Sequence, residues 1–364
     1  MSFIIFIIVL AILVFVHELG HFLAAKKSGI KVTEFGIGFP PRLFSKQKGE
    51  TLYSLNAIPF GGFVKIFGED PDDESLSGPE KERSISSKPK RTQALVLVAG
   101  VTFNILFAWM LISIGYTVGF PTSLTHTGPG IVENPRLVVT TVAPDSPAQI
   151  SGIKVGDEIV SLTSEGIYKL EELSAPSISN FIEAHGKEGI TFTLKRGKEI
   201  LENEVMGQEG IIQNKVAVGI GMDTIGTLTL PVHLAIIEGA KDTIKLTYLT
   251  AVGLISFIGT AIVGQGDFGQ VTGPIGIAGL VGDVTKLGFV YLLSFTAVIS
   301  INLAVINLFP FPALDGGRLL FIGIEAIFRK PIPVKVANWL NGVGFFLLLA
   351  LMAVVTLHDI IRIL

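Results

Sequence analysis

Apolar residues fall into four long blocks along the 364-residue chain, and polar or alternating segments separate them. A membrane-spanning helix needs about 20 predominantly apolar residues to cross a hydrocarbon core of about 30 Å. Each of the four blocks meets this length. The pattern therefore predicts transmembrane helices at residues 1–25, 93–120, 286–314 and 339–358.

A fifth apolar stretch, Leu246–Gly264, is ambiguous. The sequence just before it, "HLAIIEGAKDTIKLTYL", is amphipathic, as expected for a helix that lies on a membrane surface. If this stretch also spanned the bilayer, the basic residues that follow the third block would face outward, against the positive-inside rule. We therefore predict that residues 223–285 form an amphipathic, interfacial segment.

Lysine and arginine near the helix ends predict the orientation of the chain. Residues 26–92 begin with Lys26 and Lys27 and end with Lys90 and Arg91, so this segment is expected in the cytoplasm. The link at residues 315–338 is also basic, which places it on the same side; its basic residues are Arg318, Arg329, Lys330 and Lys335. The segment between the second and third helices is then external.

That external segment contains a module at residues 131–222 with its own strand, helix and turn signals. "RLVVTTV" predicts a strand, "SPAQIS" and "SISNFIEAHG" predict helices, and "ITFTLKRGKEILENEVM" predicts a hairpin with its turn at Arg196-Gly197. The stretch "APDSPAQISGIKVGDEIVSL" resembles a PDZ domain, which implies that a peptide strand adds to a sheet edge. The alternative is a small α+β domain that only separates two helices.

The amino-acid composition supports a membrane protein and argues against nucleic-acid binding and cysteine-based chemistry. Only 16% of residues are charged, against about 25% in ordinary soluble domains, and mean hydropathy is +0.61. A formal net charge of −3 gives no indication of nucleic-acid binding. The chain has no cysteine, so disulfides, thiolate metal ligands and a cysteine nucleophile are excluded.

Two histidines and a glutamate lie inside the first apolar block, in "HELGH". A charged group at the centre of a membrane helix costs roughly 2.5–3.5 kcal/mol on insertion scales, so these residues call for a functional explanation. His17 and His21 are four residues apart and share one helix face, and Glu18 lies about 100° round the helix. This H-E-x-x-H spacing predicts two zinc ligands and a general base.

A catalytic zinc site needs a third protein ligand. The best candidate is Asp315, in "NLFPFPALDGGRLL" at the end of the third block, where Pro310 and Pro312 break the helix. Asp315 would lie at the same depth as His17 if both helices run from outside to inside. The alternative for Asp315 alone is an N-cap of the following helix.

Together these segments resemble the site-2 protease family of intramembrane zinc metalloproteases, and in particular the branch of the bacterial regulator of sigma-E protease. The resemblance extends over nearly the whole chain and rests on "HELGH", "FGIGFPPRLF", "AIPFGGFVKIFGED", "AGVTFNILFAW", "TGPIGIAGLVG" and "SINLAVINLFPFPALDGGRLLFIGIEAIFRKPIP". It implies a membrane-associated β-hairpin beside the active site, within residues 26–92.

The resemblance also implies roles for single residues. His17, His21 and Asp315 would be the zinc ligands, with Glu18 as the base, and Asn307 would contact the substrate backbone or the oxyanion. Asn104 matches a family asparagine in the second helix. A plain hydrogen bond between helices is an equally good explanation for it.

The expected fold is a polytopic α-helical membrane protein of about four transmembrane helices, with a membrane-associated β-hairpin and one inserted α+β PDZ-like domain. The expected function is zinc-dependent (Zn2+) endopeptidase activity on single-pass membrane proteins within or near their transmembrane segment. Other expected partners are the lipid bilayer and a peptide C-terminus at the PDZ-like domain, with no nucleic acid. The expected location is the bacterial plasma membrane.

Two other function classes are compatible with ionisable residues or a peptide-binding module in a membrane protein. An ion or solute transporter also carries ionisable residues in its membrane helices, but it predicts paired helix breaks in repeated halves, and the sequence has no internal repeat. A catalytically inactive, peptide-binding adaptor requires a lost ligand or base, and none is missing from the motifs.

Overall fold

The computed structural model describes residues 2–69, 80–212, 215–264 and 271–363. The chain divides into two compact units. One unit comprises Met1–Leu111, Ala240–Gly282 and Thr296–Leu364, and the other comprises Ile112–Gly239 and Asp283–Phe295.

The helices of the described residues account for most of the apolar sequence. They are α1 (Ser2–Lys27), α2 (Lys90–Val118), α3 (Pro147–Ile150), α4 (Ala175–His185), α5 (Val232–Ile262), α6 (Pro274–Leu287), α7 (Phe289–Leu308), α8 (Asp315–Phe328) and α9 (Val334–Ile363). The four blocks predicted from the hydrophobic pattern coincide with helices α1, α2, α7 and α9, although α7 ends at Leu308 and not at 314, and the number of helices that cross the membrane stays a prediction. With several helices of this length and hydropathy, the chain is an integral membrane protein.

Helix α5 is a fifth helix that is long and apolar enough to cross a membrane, among the residues that the structure describes. Its first half has one buried side, which includes Ala235, Glu238 and Thr243. Its second half exposes large apolar side chains such as Tyr248 and Ile255. The ambiguous stretch at 246–264 thus belongs to a continuous helix that begins at Val232, and the prediction that it lies at the interface stays a prediction.

Helices α1 and α2 approach each other closely at two glycines. A Cβ atom on Gly20 would lie 2.4 Å from the carbonyl oxygen of Ala99, and one on Gly100 would lie 2.3 Å from Nε2 of His21. Real Cβ contacts are never this short, so only glycine fits at either position. Small residues at helix crossings let membrane helices pack backbone against backbone.

The strands between α1 and α2 form the predicted β-hairpin, which is longer than the sequence suggested. Strand β1 (Val32–Lys48) pairs antiparallel with β2 (Thr51–Ile66). Both strands bend, because residues 34–37 pair with 62–65 and also with 52–55, while 44–48 pair with 51–55. The bends coincide with Gly38 and Gly61, whose φ angles of 80° and 116° favour glycine.

The second unit contains the remaining strands. They are β3 (Phe120–Ser123), β4 (Val132–Val142), β5 (Glu158–Ser164), β6 (Tyr168–Lys169), β7 (Ile190–Arg196), β8 (Glu199–Val205), β9 (Gln208–Ile212), β10 (Lys215–Ala217) and β11 (Ile220–Leu228). A seven-stranded sheet has the order β3-β11-β4-β5-β7-β8, with β6 paired to β5, and β9 pairs with β10 in a separate hairpin. The strands and helices predicted from residues 136–206 are present, and the predicted hairpin turns at Gly197-Lys198 instead of Arg196-Gly197, because Arg196 still pairs with Glu199.

The sheet extends past the predicted limits of the module, 131 and 222. Strand β3 pairs with residues 225–228 of β11, and β4 pairs with residues 220–228 of the same strand. The first residues of the predicted interfacial segment 223–285 are therefore part of a sheet. Short strands such as β3 carry too little alternation to be detected from sequence.

A compact apolar core holds the sheet against α4. Ile178 and Ile182 of α4 are buried against strand residues such as Leu162, Phe192 and Leu194. At the edge of this core, Arg196 donates hydrogen bonds of 2.7 and 2.8 Å to the buried carboxylate of Asp157. These hydrogen bonds raise the pKa of Arg196.

Candidate metal centre

His17 and His21 lie on one face of α1 and are both buried, with exposed fractions of 8% and 7%. The helix is continuous through both residues, so their four-residue spacing places the rings one turn apart. Their Nε2 atoms are 3.2 Å apart. The two imidazoles therefore converge on one point, as the sequence spacing predicted.

Asp315 completes this cluster from the other side. Helix α7 ends at Leu308 and α8 begins at Asp315, with the proline-containing break between them. One carboxylate oxygen of Asp315, Oδ2, lies 3.1 Å from Nε2 of His17 and 3.2 Å from Nε2 of His21. A Cβ atom on Gly316 would lie 2.2 Å from the carbonyl oxygen of Leu308, so the tight return of the chain requires glycine there.

The structure does not support an N-cap role for Asp315. The N-cap position of α8 is Leu314, and no side chain caps this helix end with a hydrogen bond. The carboxylate of Asp315 is instead directed at the two histidines.

The three ligand atoms fit a zinc ion. Zinc bonds of about 2.0–2.1 Å in a tetrahedral arrangement hold ligand atoms roughly 3.3 Å apart. The separations between the two Nε2 atoms and Asp315 Oδ2 are 3.1–3.2 Å. These three residues also form the one group of three or more potential ligands in the described part of the chain.

The hydrogen bonds of His21 point to the same conclusion. Its Nδ1 lies 2.9 Å from the carbonyl oxygen of Val96, to which it donates. In a neutral imidazole the other nitrogen then carries a lone pair. A lone pair on Nε2 facing a carboxylate oxygen is repulsive unless a cation lies between them, so the donor set suits a metal.

Glu18 lies beside this cluster and is half-buried. It accepts a hydrogen bond from the backbone N–H of Val64, in β2. A Cβ atom on Gly62 would lie 3.3 Å from Cγ of Glu18, so this part of β2 passes directly over the glutamate. The structure therefore brings the end of β2 and the candidate base together.

Asn307 lies in the last turn of α7 and is also half-buried. Its Nδ2 atom is 3.5 Å from Nε2 of His17. The amide group of Asn307, a hydrogen-bond donor, therefore lies next to one of the three candidate ligand atoms. The expected contact of Asn307 with the substrate backbone or the oxyanion stays a prediction.

Three residues of α2 at spacings of four face the histidines, and only Asn104 among them was a candidate from the sequence. The carbonyl oxygen of Val96 accepts from His21, the backbone of Gly100 lies against both rings, and Asn104 contacts His17. A stripe of small and polar residues in an apolar helix is the signal that could have indicated this face.

The other histidines take no part in this group. His185 stacks on Tyr168 and packs against Phe181, with ring centroids 4.7 and 4.8 Å away. His126, His233 and His358 are likewise absent from the metal-ligand group found among the described residues.

Comparison with known proteins gives one family. The model of Peptidase family M50 matches residues 5–351. A Clostridium perfringens protein named as a zinc metalloprotease is 37% identical over 353 residues, which covers 96% of this chain and 95% of that protein. Zinc metalloprotease RasP of Geobacillus kaustophilus is 30% identical over 435 residues, covering 99% of this chain and 97% of the relative.

A third relative indicates the branch within the family. The Bacillus subtilis protein named regulator of sigma-W protease RasP is 29% identical over 433 residues, and the match covers 98% of this chain and 97% of that protein. The resemblance to site-2 proteases, the metalloendopeptidase activity and the zinc cofactor that the motifs predicted are thereby confirmed. The chain belongs to peptidase family M50, the zinc-dependent site-2 proteases, and is similar to the RasP proteases of that family.

Proposed function

We propose that this protein cleaves single-pass membrane proteins within or near their transmembrane segments. The observation that carries the proposal is the convergence of His17, His21 and Asp315 on one point, inside or next to helices that are apolar enough to span a membrane. A hydrolytic site in that location suits a peptide bond that lies at membrane depth. Proteins such as membrane-anchored regulators or remnants of signal peptides belong to this substrate class.

His17, His21 and Asp315 are proposed to hold the zinc ion. When bound, zinc lowers the pKa of water towards about 7 and polarises a carbonyl oxygen. Glu18 accepts the proton of the attacking water and then delivers it to the amine that leaves. Asn307 donates its amide hydrogen to the oxygen on which negative charge develops.

The substrate must present an extended segment to this site, because a helix hides its carbonyl groups in hydrogen bonds. Residues 62–66 of β2 pair with 32–37 of β1, and the same segment passes over Glu18. We propose that the substrate adds as a strand beside residues 62–66, which would hold its backbone next to the catalytic groups.

The proposed orientation follows the basic residues. Lys26 and Lys27 end α1, and Lys90 and Arg91 begin α2. By the positive-inside rule these helix ends face the cytoplasm, and the PDZ-like domain then lies outside the plasma membrane. The metal centre would open towards the cytoplasmic half of the bilayer.

The proposal is tested with the purified full-length protein and single-pass reporters in lipid vesicles. A reporter with a Gly-Pro pair in its span should be cut at least about tenfold faster than a matched reporter with an all-leucine span, since glycine and proline each cost roughly 1–3 kcal/mol in a helix. A zinc chelator should stop cleavage, and added zinc should restore it.

Three results would contradict this function. They are cleavage that survives chelation, equal rates for the two reporters, and cuts found only in a soluble part of the reporter.

A groove in the second unit suggests a second binding activity. Strand β3 pairs with only the last residues of β11, whereas residues 220–222 line a cavity of about 270 Å3 together with Ser179 and Ile182 of α4. A strand edge beside a helix, with apolar side chains in the groove, is the arrangement in which peptide strands add to PDZ domains. We propose that this groove binds a free peptide C-terminus.

Fluorescence anisotropy of a labelled hexapeptide tests the groove. A peptide with an apolar last residue and a free carboxylate should bind the full-length protein about tenfold more tightly than its amidated form. Ser179→Trp, which fills the groove, should weaken binding by a similar factor. Asn180→Trp places the same bulk on a neighbouring exposed position and should have no effect. Equal binding by all three proteins would contradict the proposal.

A further inference from the structure

Asn104 is the most deeply buried polar side chain beside the metal centre, with an exposed fraction of 0%. It lies on α2, and its Nδ2 atom is 3.2 Å from Nδ1 of His17. Its other amide atom, Oδ1, is buried and has no hydrogen-bond partner among the described residues. A buried amide oxygen without a partner costs about 1–3 kcal/mol, so it needs an explanation.

The chemistry of His17 decides which atom of the Asn104 amide faces the ring. If Nε2 of His17 is the ligand atom, its lone pair faces the metal and the hydrogen of the ring is on Nδ1. A ring N–H cannot bond to an amide NH2 group, because both are donors. Rotating the amide by 180° exchanges its oxygen and nitrogen, which are assigned from the hydrogen-bond network and not from shape. The rotated amide presents Oδ1 to the ring N–H.

We propose that Asn104 is the positioning residue of His17, and that its Oδ1 accepts the Nδ1–H hydrogen and thereby fixes Nε2 as the metal-binding atom. His21 has the same arrangement with a different acceptor, since its Nδ1 donates to the carbonyl oxygen of Val96. Histidine ligands in proteins almost always donate their second ring hydrogen in this way. Each histidine would then be oriented by one residue of α2.

Ser300 contacts the backbone of Asn104 and not its side-chain amide. Its Oγ donates a hydrogen bond of 2.8 Å to the carbonyl oxygen of Asn104, and it is fully buried on α7. This bond involves the backbone of Asn104 and leaves the side-chain amide free for His17. Ser300 therefore offers a control that is close to Asn104 and unrelated to the ring hydrogen.

A measurement of zinc affinity distinguishes the hydrogen-bonding role of Asn104 from a role in packing alone. Asn104→Leu keeps the volume but removes the acceptor, and it should weaken zinc binding to the full-length protein 10–100-fold, the range seen for such outer partners. Asn104→Asp keeps an acceptor and should bind zinc within about threefold of the wild type. Ser300→Ala should also bind zinc normally. Competition with a chromophoric chelator gives the affinities, and cobalt substitution gives an absorption spectrum that reports the ligand geometry.

Two outcomes would overturn the proposal. One is normal zinc affinity in Asn104→Leu, and the other is an affinity in Asn104→Asp as low as in Asn104→Leu. If Asn104→Leu does not fold, nitrogen-15 NMR of labelled histidines in zinc-loaded protein decides instead. The His17 Nδ1–H signal should be present in the wild type and move downfield in Asn104→Asp, because a carboxylate is the stronger acceptor. An absent or unmoved signal would overturn the proposal.

The inference rests on the proposed zinc site, but the two fail separately. Loss of zinc in His17→Ala together with unchanged zinc in Asn104→Leu would remove only the role of Asn104. Retention of zinc in His17→Ala would remove the site itself.

Discussion

Glu18→Gln should keep zinc and fold but lower cleavage of a membrane-embedded substrate by about 10²–10⁴-fold, the usual contribution of a general acid–base group. Glutamine has nearly the same shape as glutamate, and its amide can still contact the backbone of Val64. A neutral amide, however, cannot accept the proton of the attacking water. The effect should therefore appear in the rate of the chemical step and not in zinc content or substrate binding.

The control for this substitution is Glu50→Gln. Glu50 accepts hydrogen bonds from Lys26 and Arg83 at the base of the hairpin, away from the two histidines. This variant should cleave at the wild-type rate. Turnover of the Glu18→Gln variant at a comparable rate would remove Glu18 from the mechanism.

Asp315→Ala should release zinc from the purified protein, and His17→Ala and His21→Ala should do the same. Zinc binding with four ligands yields roughly 10–16 kcal/mol in small zinc proteins, so losing one ligand costs on the order of 3 kcal/mol, or about a hundredfold in affinity. Asp315 is the most informative of the three, because its role was inferred from depth and chain direction rather than from the H-E-x-x-H spacing.

Elemental analysis after dialysis against a weak chelator measures this effect. Asp283→Ala is a suitable comparison, because Asp283 is a half-buried residue of the second unit that pairs with Lys286 and Lys154. It should retain the full zinc content. Wild-type zinc in the Asp315→Ala variant would mean that the third ligand is a different residue.

The parts of the site that the sequence could predict are those set by short-range periodicity. His17 and His21 share a helix face because they are four residues apart, and this holds for any straight helix. Asp315 could be selected because it is the carboxylate at the end of an apolar block that runs in the same direction as α1. Both arguments need only helix geometry and the thickness of the bilayer.

Contacts that depend on how helices cross could not be predicted in this way. His21 donates to the backbone carbonyl oxygen of Val96. Every residue has a carbonyl group, so the residue type at position 96 gives no sign of this contact. The contact between Val64 and Glu18 likewise depends on where β2 bends at Gly61. The full length of α5 was not predicted, for a different reason. Its first half is amphipathic and its second half is apolar, so the hydrophobic pattern indicated two separate elements.

The close approach of α2 at Gly100 also decides from which direction an inhibitor can reach the metal. The backbone there lies against both histidine rings, and not even a methyl group would fit between them. A zinc-chelating compound such as a hydroxamate must therefore enter from the side of Glu18 and Asn307, where the substrate strand is proposed to lie. Compounds built as extended peptide mimics with a terminal chelating group meet this requirement, whereas branched chelators that surround the ion do not.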